Sequence, residues 1–280
     1  MREINARDIT ALVARMCIES NCYINEDIEN ALKEGQKTEK NPLAAEILGD
    51  IIKNAEIARR DEVPICQDTG MAVFFLELGQ DVHIVGGGLY DAINEGVRQG
   101  YHDGYLRKSV VADPIRRGNT GDNTPAIIHT EIVDGNEFKI TIAPKGFGSE
   151  NMSAIKMLKP SDGLDGVLDF VVETVKNASG NPCPPIVVGV GIGGTMEKAA
   201  ILSKKALLRD IRKNHPDKYY ADIEDELLKR INALDVGPQG YGGITTAMGV
   251  NIETFPTHIA GLPVAVNISC HVTRHLTREI

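Results

Sequence analysis

Between Leu164 and Ala233 the chain switches between helical and extended patterns with little spacer. Helices are expected over Leu164–Lys176, Met196–Arg209 and Ala221–Ala233, and an apolar, β-branched strand over Ile186–Val190. Apolar residues at three- and four-residue steps mark the helices, and a short apolar run bounded by turn formers marks a buried strand. Such alternation gives a mixed α/β (α+β) fold, with helices flanking mixed sheets. Residues 6–60 read as an all-helical entry segment: Ile9, Leu12, Val13, Met16 and Cys17 recur at helical steps, and so do Leu43, Ala44, Ile47, Leu48, Ile51 and Ile52. Asn41 is placed as a cap for a helix that opens with Pro42.

Further elements follow from local chemistry. EVPICQDTG reads as a loop before a buried strand at Met71–Leu78, and a helix fits Leu89–Gln99. HTEIV and EFKITIA, joined by Asp134-Gly135-Asn136, predict a β-hairpin. The polar stretches Arg116–Pro125 and Ala143–Asn151 predict two loops of ligand-holding character. Glycine-punctuated strands then run to Cys270. A single domain is expected over residues 1–280, with a soft boundary near Ser179–Pro182.

Composition narrows the function. With 30 Lys+Arg against 39 Asp+Glu the chain carries a formal charge of −9, which argues against the clustered basic surface that binds nucleic acid. No apolar run reaches the ~18–20 residues of a membrane span, and the charged start MREINARDITALV is unlike a signal peptide; a cytoplasmic location is expected. Five scattered cysteines do not form a disulfide framework.

Two constellations carry chemistry. Gly189, Gly191 and Gly194 fit GxGxxG between a strand and a helix. The region ~20 positions on, however, is charged and helical and lacks the acidic strand end a dinucleotide requires. Close strand-to-helix packing is the plainer reading, and a nucleotide-binding oxidoreductase is an alternative of low weight. The second constellation is Cys66, Cys183 and Cys270. Each follows an apolar or Pro-containing approach and precedes a polar residue or turn breaker, whereas Cys17 and Cys22 lie within a helical pattern. Spacing alone leaves open whether the three are inert or bind metal.

The flanking residues decide between these. ICQDTG, LRKSVVADP, GNTGDNTPA, PKGFGSEN, GNPCPP, GVGIGGT, THIAGLPVAVN and NISCH occur in order over nearly the whole chain. Together they resemble the α subunit of class I, iron-sulfur-dependent fumarate hydratase, and the related tartrate dehydratase α subunit shares the pattern. The resemblance implies a hydro-lyase of the tricarboxylic acid cycle that interconverts fumarate and L-malate, with tartrate as the alternative substrate. It implies that Cys66, Cys183 and Cys270 hold a 4Fe-4S cluster with one iron not ligated by a protein thiolate. Asp68 and His258 would then be the catalytic pair, and Gln67, Asp68, Arg107 and Gly148 would bind substrate. Phe147 stands where many relatives are expected to carry glycine, though backbone donors do not depend on that side chain.

The resemblance also implies a β subunit that completes the active site and supplies the carbon base, since the sequence stops at Thr277-Arg-Glu-Ile280. Pairing of two α chains would give a heterotetramer. A third class of reading, a non-catalytic cluster carrier, predicts iron binding without any response to dicarboxylates.

Overall fold

A computed structural model describes residues Met1–Ile280. The elements run β1 (Arg2–Asn5), α1 (Ala6–Cys22), α2 (Glu26–Thr38), α3 (Pro42–Asp61), β2 (Met71–Gly79), β3 (Val82–Val85) and α4 (Leu89–Asp103). They continue with β4 (Ile127–Val133), β5 (Phe138–Lys145), the short α5 (Phe147–Glu150), β6 (Ala154–Leu158), α6 (Gly163–Ala178), β7 (Ile186–Gly193) and α7 (Met196–Ala206). α8 (Lys218–Asn232), β8 (Ala247–Phe255), β9 (Leu262–Ser269) and β10 (Leu276–Glu279) complete the chain. The mixed α/β class and the helical entry segment are as expected. No helix is long and apolar enough to cross a membrane.

The chain forms two compact units. One comprises Met1–Ile24, Ala55–Phe147 and Arg274–Ile280; the other comprises Asn25–Asn54 and Gly148–Thr273. The position near residue 180 lies inside the second unit.

In the first unit a four-stranded sheet has the order β10-β5-β2-β4, beside a small parallel pair of β1 and β3. Phe74, Leu76, Phe138, Ile140 and Ile142 project from the sheet onto Ile9, Val13, Met16 and Cys17 of α1 and onto Ile93, Val97 and Tyr101 of α4. Each large side chain so buried contributes about 1.5–3 kcal/mol. Asn5 caps α1 by accepting the Arg7 amide.

The expected hairpin does not form. β4 and β5 both pair with β2, β4 in parallel and β5 antiparallel, so β2 lies between them. The Asp134–Glu137 link instead wraps the end of β2, where Gly79 donates to the Glu137 carbonyl and Gln80 to the Val133 carbonyl. Gly79 allows this approach: a Cβ there would lie 2.5 Å from the Gly135 oxygen. The expected loop at Ala143–Asn151 is also corrected, because β5 extends to Lys145 and α5 starts at Phe147.

In the second unit the sheet order is β6-β9-β7-β8. Ile186, Val188 and Val190 of β7 pack on Val167, Val171 and Val175 of α6 and on Ile223, Leu227 and Ile231 of α8. The alternate residues Gly189 and Gly191 meet α7. A Cβ on either would lie 2.1 Å from a helix carbonyl, Ser203 for Gly189 and Ala199 for Gly191. The first two glycines of GxGxxG thus sit within the strand and admit a helix at close range. Asn41 accepts the Leu43 amide at the start of α3, the cap read from sequence.

Candidate functional site

The first unit carries Cys66, Gln67, Asp68 and Arg107. Cys66 and Asp68 are half-buried and Gln67 is exposed, all on the turn that enters β2. This turn is tightly built. Asp68 Oδ1 accepts the Gly70 amide at 3.0 Å, and Oδ2 accepts the Phe147 amide at 2.9 Å. Gly70 has φ +77°, and a Cβ would fall 2.7 Å from the Lys145 nitrogen, so the turn requires glycine.

Residues that sequence reasoning missed surround this turn. Arg274, buried, donates to the Asp68 carbonyl at 3.0 Å. The buried Tyr101 hydroxyl lies 2.9 Å from the Thr69 carbonyl and 3.0 Å from that of Gly70, and its burial pushes the phenol pKa up. Asn123, fully buried, donates to the Gly70 carbonyl and accepts from the Ser109 and Val110 amides. Asn123 belongs to the GNTGDNTPA motif and was legible only as part of a polar loop. Arg107 is exposed four residues beyond α4, and its carbonyl accepts from Thr69 Oγ1 at 3.2 Å. The substrate-binding candidates Asp68 and Arg107 are therefore linked through one residue.

The second unit carries Gly148, Cys183, His258 and Cys270. Cys183 precedes β7 and Cys270 follows β9, and those strands are antiparallel with Val187 opposite Ser269. Both cysteines consequently stand at one end of the sheet. The segment after Gly148 reaches the same end, where Ser153 Oγ accepts the Ile268 amide and Glu150 accepts from Asn267. Gly148 itself is exposed, with open space where a Cβ would be.

His258 lies elsewhere. It sits in the β8–β9 loop, where Phe255 stands opposite Gly193 and Thr257 Oγ1 donates to the Gly194 carbonyl. The length of β7, roughly 20–25 Å at ~3.3 Å per residue, separates that loop from Cys183 and Cys270. His258 is exposed, and its Nδ1 accepts the Ala260 amide at 3.2 Å, which leaves the proton of the neutral ring on Nε2. The strand register thus places His258 at the opposite end of this sheet from Cys183 and Cys270.

The cysteines differ as metal donors. Cys17 and Cys22 are buried; burial pushes the Cys17 thiol well above its ordinary value and also raises that of Cys22, which disfavours the thiolate a metal needs. Cys66 and Cys270 are partly exposed and Cys183 is exposed, on loops held by main-chain hydrogen bonds. Cys183 adopts φ +54° between Pro182 and Pro184, which fixes the direction of its side chain. Accessible thiols on rigid turns fit iron coordination. Neither unit alone gathers three or more His, Cys, Asp or Glu side chains into a metal-holding group.

Comparison with known proteins agrees with the motifs. A Methanocaldococcus jannaschii protein with the provisional name L(+)-tartrate dehydratase subunit alpha is 44% identical over 279 residues, covering 97% of each chain. The L(+)-tartrate dehydratase subunit alpha of Escherichia coli strain K12 is 33% identical over 272 residues, covering 96% of this chain and 89% of its own. The sequence model of fumarate hydratase (Fumerase) matches residues 10–279. That match spans both units and every motif around the candidate site, and the chain belongs to the fumarate hydratase (Fumerase) family of hydro-lyases.

Proposed function

We propose that this chain is the α subunit of an iron-sulfur hydro-lyase that interconverts fumarate and L-malate, with Cys66, Cys183 and Cys270 holding a 4Fe-4S cluster. The observation that carries the reading is the gathering of Cys183, Cys270 and the Gly148 segment at one sheet end in a chain that matches the family over residues 10–279. When bound, such a cluster with one iron free of thiolate supplies a Lewis acid for the substrate hydroxyl and carboxylate.

The chain's own residues do the rest. The Arg107 guanidinium grips one substrate carboxylate, which its fork matches in geometry, and Gln67 and the Gly148 backbone orient the other end. Asp68, held by two backbone amides, is preorganised to exchange a proton with the leaving oxygen. His258 partners Asp68 in handling the proton, and we assign it to the site of a second α chain because its loop and Cys183 stand at opposite ends of the same sheet. A β subunit completes the site and carries the carbon base. The alternative substrate, L(+)-tartrate, is favoured by the names of the relatives.

The test is anaerobic electron paramagnetic resonance of the reconstituted chain, before and after mild oxidation and with and without L-malate. A three-iron signal on oxidation, and a malate-dependent change in the reduced spectrum, are expected. Absence of any cluster signal would overturn the reading. Turnover of malate against tartrate by the chain with its β subunit then decides the substrate.

A further inference from the structure

We infer that Gln239 is a positioning residue for Cys183, an inference that rests on the proposed role of Cys183 as an iron ligand. The segment Gly180–Pro185 is poor in donors, because Pro182, Pro184 and Pro185 have no amide N–H. Its carbonyls are held from outside. Gln239 donates twice to the Pro184 carbonyl, from its main-chain N and from its side-chain Nε2, each at 2.8 Å. Its Nε2 also lies 3.1 Å from His271 Nδ1, and that ring nitrogen lies 2.9 Å from the Cys183 carbonyl. The His271 amide closes the ring of contacts by donating to the same Cys183 carbonyl at 3.3 Å.

The side chain of Gln239 therefore touches the residue after Cys183 and the residue after Cys270. It fixes the two cysteine turns relative to each other, and their relative placement sets the sulfur positions a shared cluster would demand. The Gln239 turn is itself built for this contact. Gln239 adopts φ +53°, and Gly240 approaches Gly180 so closely that a Cβ on Gly240 would lie 2.9 Å from the Gly180 Cα. Groups that orient metal ligands typically change metal affinity ~10–100-fold when removed.

The experiment uses the reconstituted full-length chain and follows iron release to a chelator together with the spectrum of the reduced cluster. Gln239→Met and Gln239→Glu both remove the Nε2 donor while keeping side-chain length and the same backbone demand at φ +53°. Both are expected to fold like the parent by circular dichroism, to release iron about 10-fold faster, and to shift the resonance line shape. Asn41→Ala, which removes both a bond to the Tyr241 carbonyl in the same loop and the cap of α3, is expected to leave release unchanged. Cys183→Ser is the reference for loss of a ligand. Release from both Gln239 variants at the parental rate, beside loss of the cluster in Cys183→Ser, would overturn this inference alone. Equal acceleration by Asn41→Ala would assign the effect to general loosening and also overturn it. Full retention of the cluster in Cys183→Ser would overturn the ligand reading itself.

Discussion

The Asp68 carboxylate accepts the main-chain amide of Phe147, 79 positions away, at 2.9 Å, while its other oxygen closes the turn to Gly70. Both oxygens are thus held before any substrate arrives. Asp68→Asn places an NH2 group against one of those two amides and forfeits one hydrogen bond, a net loss of about 1 kcal/mol. The fold is expected to survive this and the iron content to remain at the parental level. Turnover is expected to fall ~100-fold or more, the usual scale for a proton-transfer group. Iron analysis beside steady-state rates checks this; loss of iron would make Asp68 a support of the turn and not a proton carrier.

Register separates His258 from Cys183 and Cys270 by the length of β7. If His258 serves a second copy, two inactive chains should rescue each other. A paired molecule of one Cys183→Ser and one His258→Asn chain retains one site with intact cysteines and an intact histidine. Random mixing gives half mixed pairs with one good site each, so activity is expected to recover to about a quarter of the parental value under two-fold pairing. Co-refolding the two variants with the β subunit and measuring turnover checks this. No recovery would remove His258 from the reaction or restrict it to its own chain.

What the sequence revealed depends on the range of the interaction. The Asn41 cap and Pro42 start of α3 are settled within three residues, so composition sufficed. The false hairpin shows the opposite case: Asp134-Gly135-Asn136 has the local chemistry of a two-strand turn, but β2, made over 50 residues earlier, inserts between the strands. For the site, the motifs picked out Cys66, Asp68, Cys183 and Cys270, because cysteines beside turn breakers leave a local trace. Gln239 left none. In GPQGYGG it reads as a turn residue, and its partner Pro184 is 55 positions away. Arg274 and Tyr101 were invisible for the same reason, since each acts on the carbonyls of a turn remote in sequence.

Acid should loosen the second unit through Glu39. Burial alone pushes this carboxyl up, but donors from the Thr245 hydroxyl and the Ile244, Asn41 and Lys40 amides outweigh it, and the net pKa lies below the ordinary 4.5. A depressed folded value means the stabilisation is complete above about pH 4.5 and is lost as pH falls through the folded value. Glu39→Gln cannot titrate, and is expected to lower the melting temperature at pH 7 and to flatten its dependence on pH between 5 and 3. Thermal melts of both proteins across that range check this. Parallel curves would show that the acid sensitivity resides in other carboxylates.

Removing iron should leave the chain folded. Small metal domains unfold without their ion because they have no other core, and metal binding supplies their folding free energy. Here each unit owns an apolar core assembled from helices and a four-stranded sheet, and neither core includes Cys66, Cys183 or Cys270. Cys17, by contrast, is fully buried beside Ile9, Val13 and Met16 in the first of these cores. Chelation is therefore expected to abolish turnover and cluster absorbance while far-ultraviolet circular dichroism is unchanged. Cys17→Ser is expected to do the reverse, keeping the iron but placing a hydroxyl in an apolar site at a cost of about 1–3 kcal/mol, or several degrees of melting temperature. The two measurements on the same samples separate the roles of the cysteines: a chelated chain that loses helix, or a Cys17→Ser chain that loses iron, would mean that metal and core are coupled and that this division of labour is wrong.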